Sequence, residues 1–207
     1  MEAGVIAPDE TVYCPGYTDV FNIRFHCWKS GGHGNINLHE SLKQSCDCYY
    51  YEISQRVGID KMAEMARKLG LGVRHDLPLS AVAEGLAPDK EWKSRVRDEE
   101  WRIGDTVNAS IGQGYVLASP LQLAVMTARL ATGRAIVPRI LHSIGGQPVD
   151  LPQKGLITAV AQNGVSLFLH IDPVRLGVVV GRAGGNGPLQ AIGRAAGGIG
   201  NLANALF

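Results

Sequence analysis

The sequence predicts a mixed helix-and-strand domain, dominated by helices, over residues 1–144, and a Gly/Ala-rich segment over residues 145–207. Three observations predict it: apolar residues at helical spacing with matching end signals, a turn-rich cysteine-bearing stretch ahead of them, and an abrupt change of composition behind them. A chain of 207 residues is long enough to bury a real core. Twenty Lys and Arg against nineteen Asp and Glu leave a net charge of +1, which gives no electrostatic footprint for nucleic acid or an anionic membrane surface.

Residues 7–37 are rich in Pro, Gly, Asn and Asp, with isolated Tyr13, Tyr17, Phe21, Phe25 and Trp28. No helix or strand period is sustained, so this stretch reads as a long loop that needs a metal or a cross-link to order it. From Leu38 the spacing of Leu38, Leu42, Tyr49, Tyr50, Ile53 and Val57 predicts two short helices meeting near Ser45 and ending at Gly58. Ile59, Met62, Met65, Ala66 and Leu69 mark an amphipathic helix that stops at Gly70. Residues 71–104 read as loop with short helical turns, and Ile111-Gly112-Gln113-Gly114 as a tight turn.

Ser119 as cap, Pro120 at the first helical position and Gly133 at the stop delimit a helix whose Leu, Ala, Val and Met content predicts burial. Val137 to Leu141 would form a short strand, and Gly145-Gly146 a hairpin turn. From Leu156 to Phe207 there are ten Gly and eight Ala, with Asp172 as the single acidic residue. Apolar runs such as Leu176 to Val180 are too short to span a bilayer, and the N-terminus lacks a signal-peptide pattern. The sequence as it stands therefore reads as cytoplasmic by default.

Four cysteines, Cys14, Cys27, Cys46 and Cys48, fall in the first quarter of the chain. Cys14, Cys27, His33 and Cys46, separated by 12, 5 and 12 residues, amount to a full tetrahedral zinc set of three thiolates and an imidazole. The bland reading is four buried thiols. His26 and His39 compete with His33 as ligands, and spacing does not choose among them. Cys48 reads as core, and His75, His142 and His170 as ordinary histidines.

Several blocks occur in one order: Tyr13-Cys14-Pro15-Gly16-Tyr17, Phe25-His26-Cys27-Trp28-Lys29-Ser30-Gly31-Gly32-His33-Gly34, Ser45-Cys46-Asp47 with Tyr49-Tyr50-Tyr51, and Gly58-Ile59-Asp60. Glu91-Trp92-Lys93, Gly104-Asp105-Thr106, Ile111-Gly112-Gln113-Gly114-Tyr115 and Ala118-Ser119-Pro120-Leu121-Gln122 follow. Together they resemble the transpeptidase domain of penicillin-binding protein 2, the class B, elongation-type peptidoglycan D,D-transpeptidases of bacteria. The resemblance runs from about Met1 to about Ile144. It implies the α/β fold of serine β-lactamases and transpeptidases, an antiparallel sheet beside a mostly helical subdomain, with this stretch supplying mainly the helical part and the sheet incomplete. It also implies a peptidoglycan stem peptide and β-lactams as ligands, and a family that is anchored in the inner membrane with a periplasmic domain.

Catalysis in that family uses Ser-x-x-Lys, a Ser-x-Asn-type triplet and Lys-Thr-Gly. Ser45-Cys46-Asp47 takes the triplet's place, Ser45 relaying a proton between the catalytic lysine and the leaving amine, and Asp47 standing where many relatives have Asn. No Ser is followed three residues later by Lys, and Lys-Thr-Gly is absent. The resemblance places the nucleophile just ahead of Ala3. Lys29-Ser30-Gly31 imitates the third motif but precedes the triplet, so it is read as a decoy. Some relatives hold zinc at the positions matching Cys14, Cys27, His33 and Cys46, which favours a structural zinc here.

Three functions compete at this level. The first is a fragment of a penicillin-binding transpeptidase that does not acylate alone. The second is a non-catalytic, zinc-ordered binding module; the third, a zinc-containing nucleic-acid binder, is disfavoured by the charge. With the sheet incomplete, the helices at 59–69 and 119–133 are expected to expose apolar faces and leave marginal stability. The run from Gly181 to Gly187 has the bias of a GC-rich gene read out of frame, so a frameshift near residues 145–160 is expected.

Overall fold

The computed structural model describes residues 3–141, 143–148 and 154–156. The segment expected to be loop instead folds into two small antiparallel ladders. β1 (Val12–Cys14) pairs with β4 (Gly34–Ile36), and β2 (Tyr17–Val20) with β3 (Ile23–His26). Strands of three and four residues are too short to display a period of two, which is why the pattern hid them. The β2–β3 turn places Phe21 at φ 52° with its ring 86% exposed.

Two helices do meet at Ser45: α1 (Leu38–Gln44) and α2 (Asp47–Val57). Asn37 caps α1, its side chain accepting from the Glu40 amide at 3.0 Å. α2 is the centre of the first core. Tyr49, Tyr50, Tyr51 and Ile53 are buried on it against Val12, Ile36 and Val107. Three consecutive tyrosines can all be buried only because β1, β2, α1 and a later helix at Ile103–Ser110 surround this helix.

α3 (Ile59–Leu69) ends where Gly70 takes a left-handed conformation, as its amphipathic pattern and glycine predict. Ile59, Met62, Ala63, Ala66 and Leu69 are buried. One further helix, α4 (Lys90–Arg97), lies where loop with at most short helical turns was expected, and another, α5 (Ile103–Ser110), starts at the end of that stretch. The inward residue of α4 is a lysine, Lys93, and the buried residues of α5 are Thr106, Val107, Ala109 and Ser110, so neither helix carries an apolar stripe.

α6 (Pro120–Thr132) has the predicted cap: the Gln122 amide donates to Ser119 Oγ at 3.3 Å and the Ser119 amide to Gln122 Oε1 at 3.0 Å. It is buried on one face only, through Gln122, Val125, Met126 and Thr127, rather than all round. The expected exposure of apolar faces on α3 and α6 is not what the structure shows. α3 packs on α6, with Ala66, Leu69 and Met126 sharing a core and Leu71 and Ala87 closing it.

The strand expected at residues 137–141 is absent, because Pro138 lacks an amide and Ile140 and Leu141 are half exposed. Strand structure lies on either side of it: β5 (Arg134–Ala135) pairs with β8 (Lys154–Leu156), and β6 (Ser143–Ile144) with β7 (Gln147–Pro148). Gly145 and Gly146, at φ 56° and 81°, make the predicted hairpin turn between β6 and β7. Among the described residues the named strands pair only in twos. His142, His170, the Leu176 to Val180 run and the Gly181 to Gly187 run lie outside the described residues.

Candidate functional site

The two N-terminal ladders and the α1–α2 junction meet at one cluster. Cys14 ends β1, Cys27 follows β3, His33 precedes β4, and Cys46 is the residue before α2. Backbone hydrogen bonds set this geometry: the Cys27 amide donates to Gly16 O at 2.8 Å, Gly32 to Lys29 O at 2.9 Å and His33 to Cys14 O at 3.0 Å. Gly16 and Gly32 let the two turns touch. A Cβ on Gly16, at φ 100°, would sit 2.3 Å from Ser30 O, and one on Gly32, at φ 73°, 2.3 Å from Cys14 O. Lys29-Ser30-Gly31 thus lies in the turn closed by the Gly32 amide.

The ligand atoms of Cys14, Cys27, His33 and Cys46 all lie within 4.8 Å of one another. His33 Nδ1 is 3.5 Å from Cys14 Sγ and 3.6 Å from Cys27 Sγ. A tetrahedral zinc with ordinary Zn–S and Zn–N lengths requires S···N separations of about 3.6 Å, so the donor set fits the ion. The three cysteines are at most 5% exposed. His26 and His39 lie apart at the surface, His39 beside Glu40 Oε1 at 3.4 Å. The Cys46 and Cys48 thiols hydrogen-bond with Cys27 and hold it far below the ordinary thiol value; Cys27, and then burial, push Cys46 and Cys48 far above it.

Ser45 occupies the break between the helices at φ 51°, ψ 52°, a left-handed conformation unusual for a residue with a Cβ. Its amide donates to Leu42 O at 3.4 Å, and the Cys46 amide to Ser41 O at 3.0 Å. Asp47 opens α2, and its Oδ2 accepts from the Trp28 amide at 2.9 Å. Sequence reasoning misses Trp28 as part of the site. Its indole Nε1 donates to Gln44 O at 3.0 Å and its ring meets His33 edge-on, at 5.4 Å between centroids. Its place directly after Cys27 is the only signal that could have found it.

A second polar feature supports the loop before α5. Lys93 is 2% exposed, with Nζ 2.7 Å from Asp105 Oδ2 and 3.3 Å from Glu99 Oε2. The hydrogen bond that Lys93 Nζ donates to Asp105, with Glu99 adding to it, raises the Lys93 ammonium above its ordinary value against the cost of desolvation. Tyr115 lies against Trp92 at 5.2 Å, with Lys93 Nζ 5.6 Å and Arg97 5.5 Å from its ring. This cluster ties α4 to the Ile111 to Tyr115 turn.

The family model of the penicillin-binding protein transpeptidase domain matches residues 1–166. The chain is 38% identical over 149 residues to the peptidoglycan D,D-transpeptidase MrdA of Acinetobacter baumannii, covering 70% of this chain and 22% of that protein. It is 32% identical over 155 residues to the MrdA of Escherichia coli K12, covering 73% and 24%. Among solved structures, Pseudomonas aeruginosa penicillin-binding protein 2 in complex with WCK 5153 matches with a TM-score of 0.69 at 35% identity, over 75% of this chain and 35% of that one. The Helicobacter pylori protein in its complex with MreC matches with a TM-score of 0.64 at 34% identity, over 72% and 27%.

The chain thus spans about a quarter of the length of the curated relatives it matches. These relatives are transpeptidases, which leaves the alternative of a stand-alone zinc-ordered module without support. The fold is that of the transpeptidases and serine β-lactamases, represented by helices and small, incomplete sheets. On the family model and the relatives alike, this chain belongs to the penicillin-binding protein transpeptidase domain family.

Proposed function

We propose that residues 1–144 are the portion of a peptidoglycan D,D-transpeptidase domain that carries its second catalytic motif, Ser45-Cys46-Asp47, and that peptidoglycan stem peptides and β-lactams are the ligands of the whole domain. One observation supports this reading above the others: Ser45 is held in a left-handed conformation at the break between α1 and α2, directly ahead of Cys46, which belongs to the thiol and imidazole cluster, and of Asp47, whose Oδ2 accepts from the Trp28 amide. Backbone strain at a polar residue so fixed is characteristic of sites that do chemistry.

In this reading the Ser45 hydroxyl passes a proton between the lysine of a Ser-x-x-Lys element and the leaving amine. The chain contains no Ser-x-x-Lys and no Lys-Thr-Gly, so its own residues position and relay, and the acyl bond forms on a serine supplied by the rest of the domain. Asp47 Oδ2 accepts from the Trp28 amide and so fixes the loop between Cys27 and His33 against α2.

Cys14, Cys27, His33 and Cys46 are proposed to hold a structural zinc. A closed tetrahedral ion there would cross-link β1, the loop after β3, the start of β4 and the start of α2, with no open position for chemistry. Cys46 would then fix the backbone between Ser45 and Asp47. Chelation at neutral pH is expected to lower the melting temperature by at least about 10 °C, and one zinc per chain should be found by elemental analysis. Well under one zinc per chain would overturn this part.

The function is tested by transplantation. Replacing the matching 149-residue stretch of the Acinetobacter baumannii relative with this chain's residues should leave a protein that labels covalently with a fluorescent penicillin. This chain alone should not label. A chimera that folds with the parent's far-ultraviolet spectrum and fails to label, or a serine adduct on the isolated chain, would contradict the reading.

A further inference from the structure

Trp28 is a large side chain left 65% exposed, so burial does not account for its place. Its hydrogen bonds do. The indole Nε1 donates to Gln44 O at 3.0 Å, and the Trp28 amide donates to Asp47 Oδ2 at 2.9 Å. These acceptors belong to the residue before Ser45 and to the second residue after it, so Trp28 alone bridges both sides of the break between α1 and α2. The same ring meets His33 edge-on, at 5.4 Å between centroids.

The conformation of Ser45 is set by the two peptide planes that flank it. The plane after it is held by the Cys46 amide, which donates to Ser41 O at 3.0 Å. The plane before it is held at its N–H end by the longer bond from the Ser45 amide to Leu42 O, at 3.4 Å. Its other end is the Gln44 carbonyl, one of the last four carbonyls of α1, which have no partner inside their own helix. The indole supplies that partner, and at 3.0 Å it is the closer of the two anchors on this plane. Turning the plane about the Ser45 N–Cα bond is a change of φ, and φ 51° is a value that a residue with a Cβ holds against strain.

We propose that Trp28 is a positioning residue for proton transfer: its indole N–H, by pinning the Gln44 carbonyl, keeps Ser45 left-handed and so fixes the direction in which the Ser45 side chain leaves the backbone. The proposal rests on the reading of Ser45 as the relay. A relay works only within hydrogen-bond reach of both partners, so a released φ reduces the rate without removing any reacting group. Trp28→Phe isolates this role. It deletes the indole donor and keeps both the main-chain amide that Asp47 accepts from and a ring to lie beside His33.

The experiment reads the second-order rate constant for acylation of the transplanted transpeptidase by a fluorescent penicillin. Trp28→Phe should lower it about tenfold or more with an unchanged far-ultraviolet spectrum. In a Ser45→Ala background the same substitution should change the rate less than about twofold, because the group it positions is gone. An unsubstituted rate in Trp28→Phe, or an equal loss in both backgrounds, would overturn the proposal. Ser45→Ala without effect overturns the relay reading beneath it, an outcome distinct from a slow Ser45→Ala and a fast Trp28→Phe. A second measurement needs only the full chain: amide hydrogen exchange at Ser45 should quicken about tenfold in Trp28→Phe while Tyr50 and Ile53 of α2 keep their protection, and unchanged exchange at Ser45 refutes the proposal.

Discussion

At the scale of single residues, the cluster depends on two backbones approaching where no side chain fits. Gly16 holds φ 100° with Ser30 O where its Cβ would be, so Gly16→Ala combines a disfavoured conformation with a 2.3 Å clash against main chain. We expect it to cost at least about 2 kcal/mol, measured by urea unfolding, and to weaken metal binding in parallel. Phe21 presents the opposite case. It is left-handed at a hairpin tip and 86% exposed, so its ring gains little from burial while its Cβ is strained. Phe21→Asn should stabilise the chain by up to about 1 kcal/mol in the same assay. Unchanged stability would show that the turn is unstrained.

The candidate ligands can be named from the sequence because ligand chemistry restricts residue type, not because of spacing. Choosing His33 over His26 and His39 requires the turn at Lys29 to Gly32, which is set by backbone hydrogen bonds that no side-chain pattern announces. Cys48 reads as core, and it is buried.

At the scale of elements, helices with an apolar stripe or a full set of end signals are legible, as α3 and α6 show. α4 is not, because its buried face is built on an ammonium. Removing that group in Lys93→Met takes from Asp105 its ion-pair partner and leaves it the Arg102 amide at 2.9 Å, and should cost about 1–3 kcal/mol by thermal or urea melting. A neutral substitution would mean that Asp105 re-solvates without loss.

His75, ordinary in the sequence, is 6% exposed and donates from Nε2 to Gly70 O at 3.1 Å, closing the end of α3. Burial first, and then the nearby Arg129 guanidinium, hold its imidazolium below the ordinary value, against the hydrogen bond to Gly70. The unfolded chain therefore binds the extra proton more readily than the folded one. The contribution is present above the unfolded value, about 6.5, and is lost as pH falls from there through the folded value. Stability should decline from pH 7 to pH 5, and His75→Asn should flatten that slope. An equal slope in the variant would assign the decline to other groups.

At the scale of the whole molecule, the described residues have three centres of packing: one around α2 with the N-terminal ladders, one between α3 and α6, and a smaller one where Ile59 and Met62 of α3 meet Ala109 of α5. The expectation of bare apolar faces fails because Leu71, Ala87 and the turn after α5 close over α3, using residues with no recognisable period. The large sheet of the family is not among the described strands, which pair in twos. Its absence is foreseeable from the resemblance, which places this stretch mainly in the helical subdomain. The strand pairing of residues 134–135 with 154–156 is not foreseeable, since two- and three-residue strands carry no pattern.

Both the metal reading and the catalytic reading converge on Ser45. The most direct test is the second-order rate constant for acylation by a fluorescent penicillin in the transplanted transpeptidase, with and without Ser45→Ala. A proton relay in the acylation transition state predicts a fall of about 100-fold or more with the chain still folded. Acylation of the Ser45→Ala protein at the unsubstituted rate would contradict the assignment of Ser45-Cys46-Asp47 as the catalytic triplet.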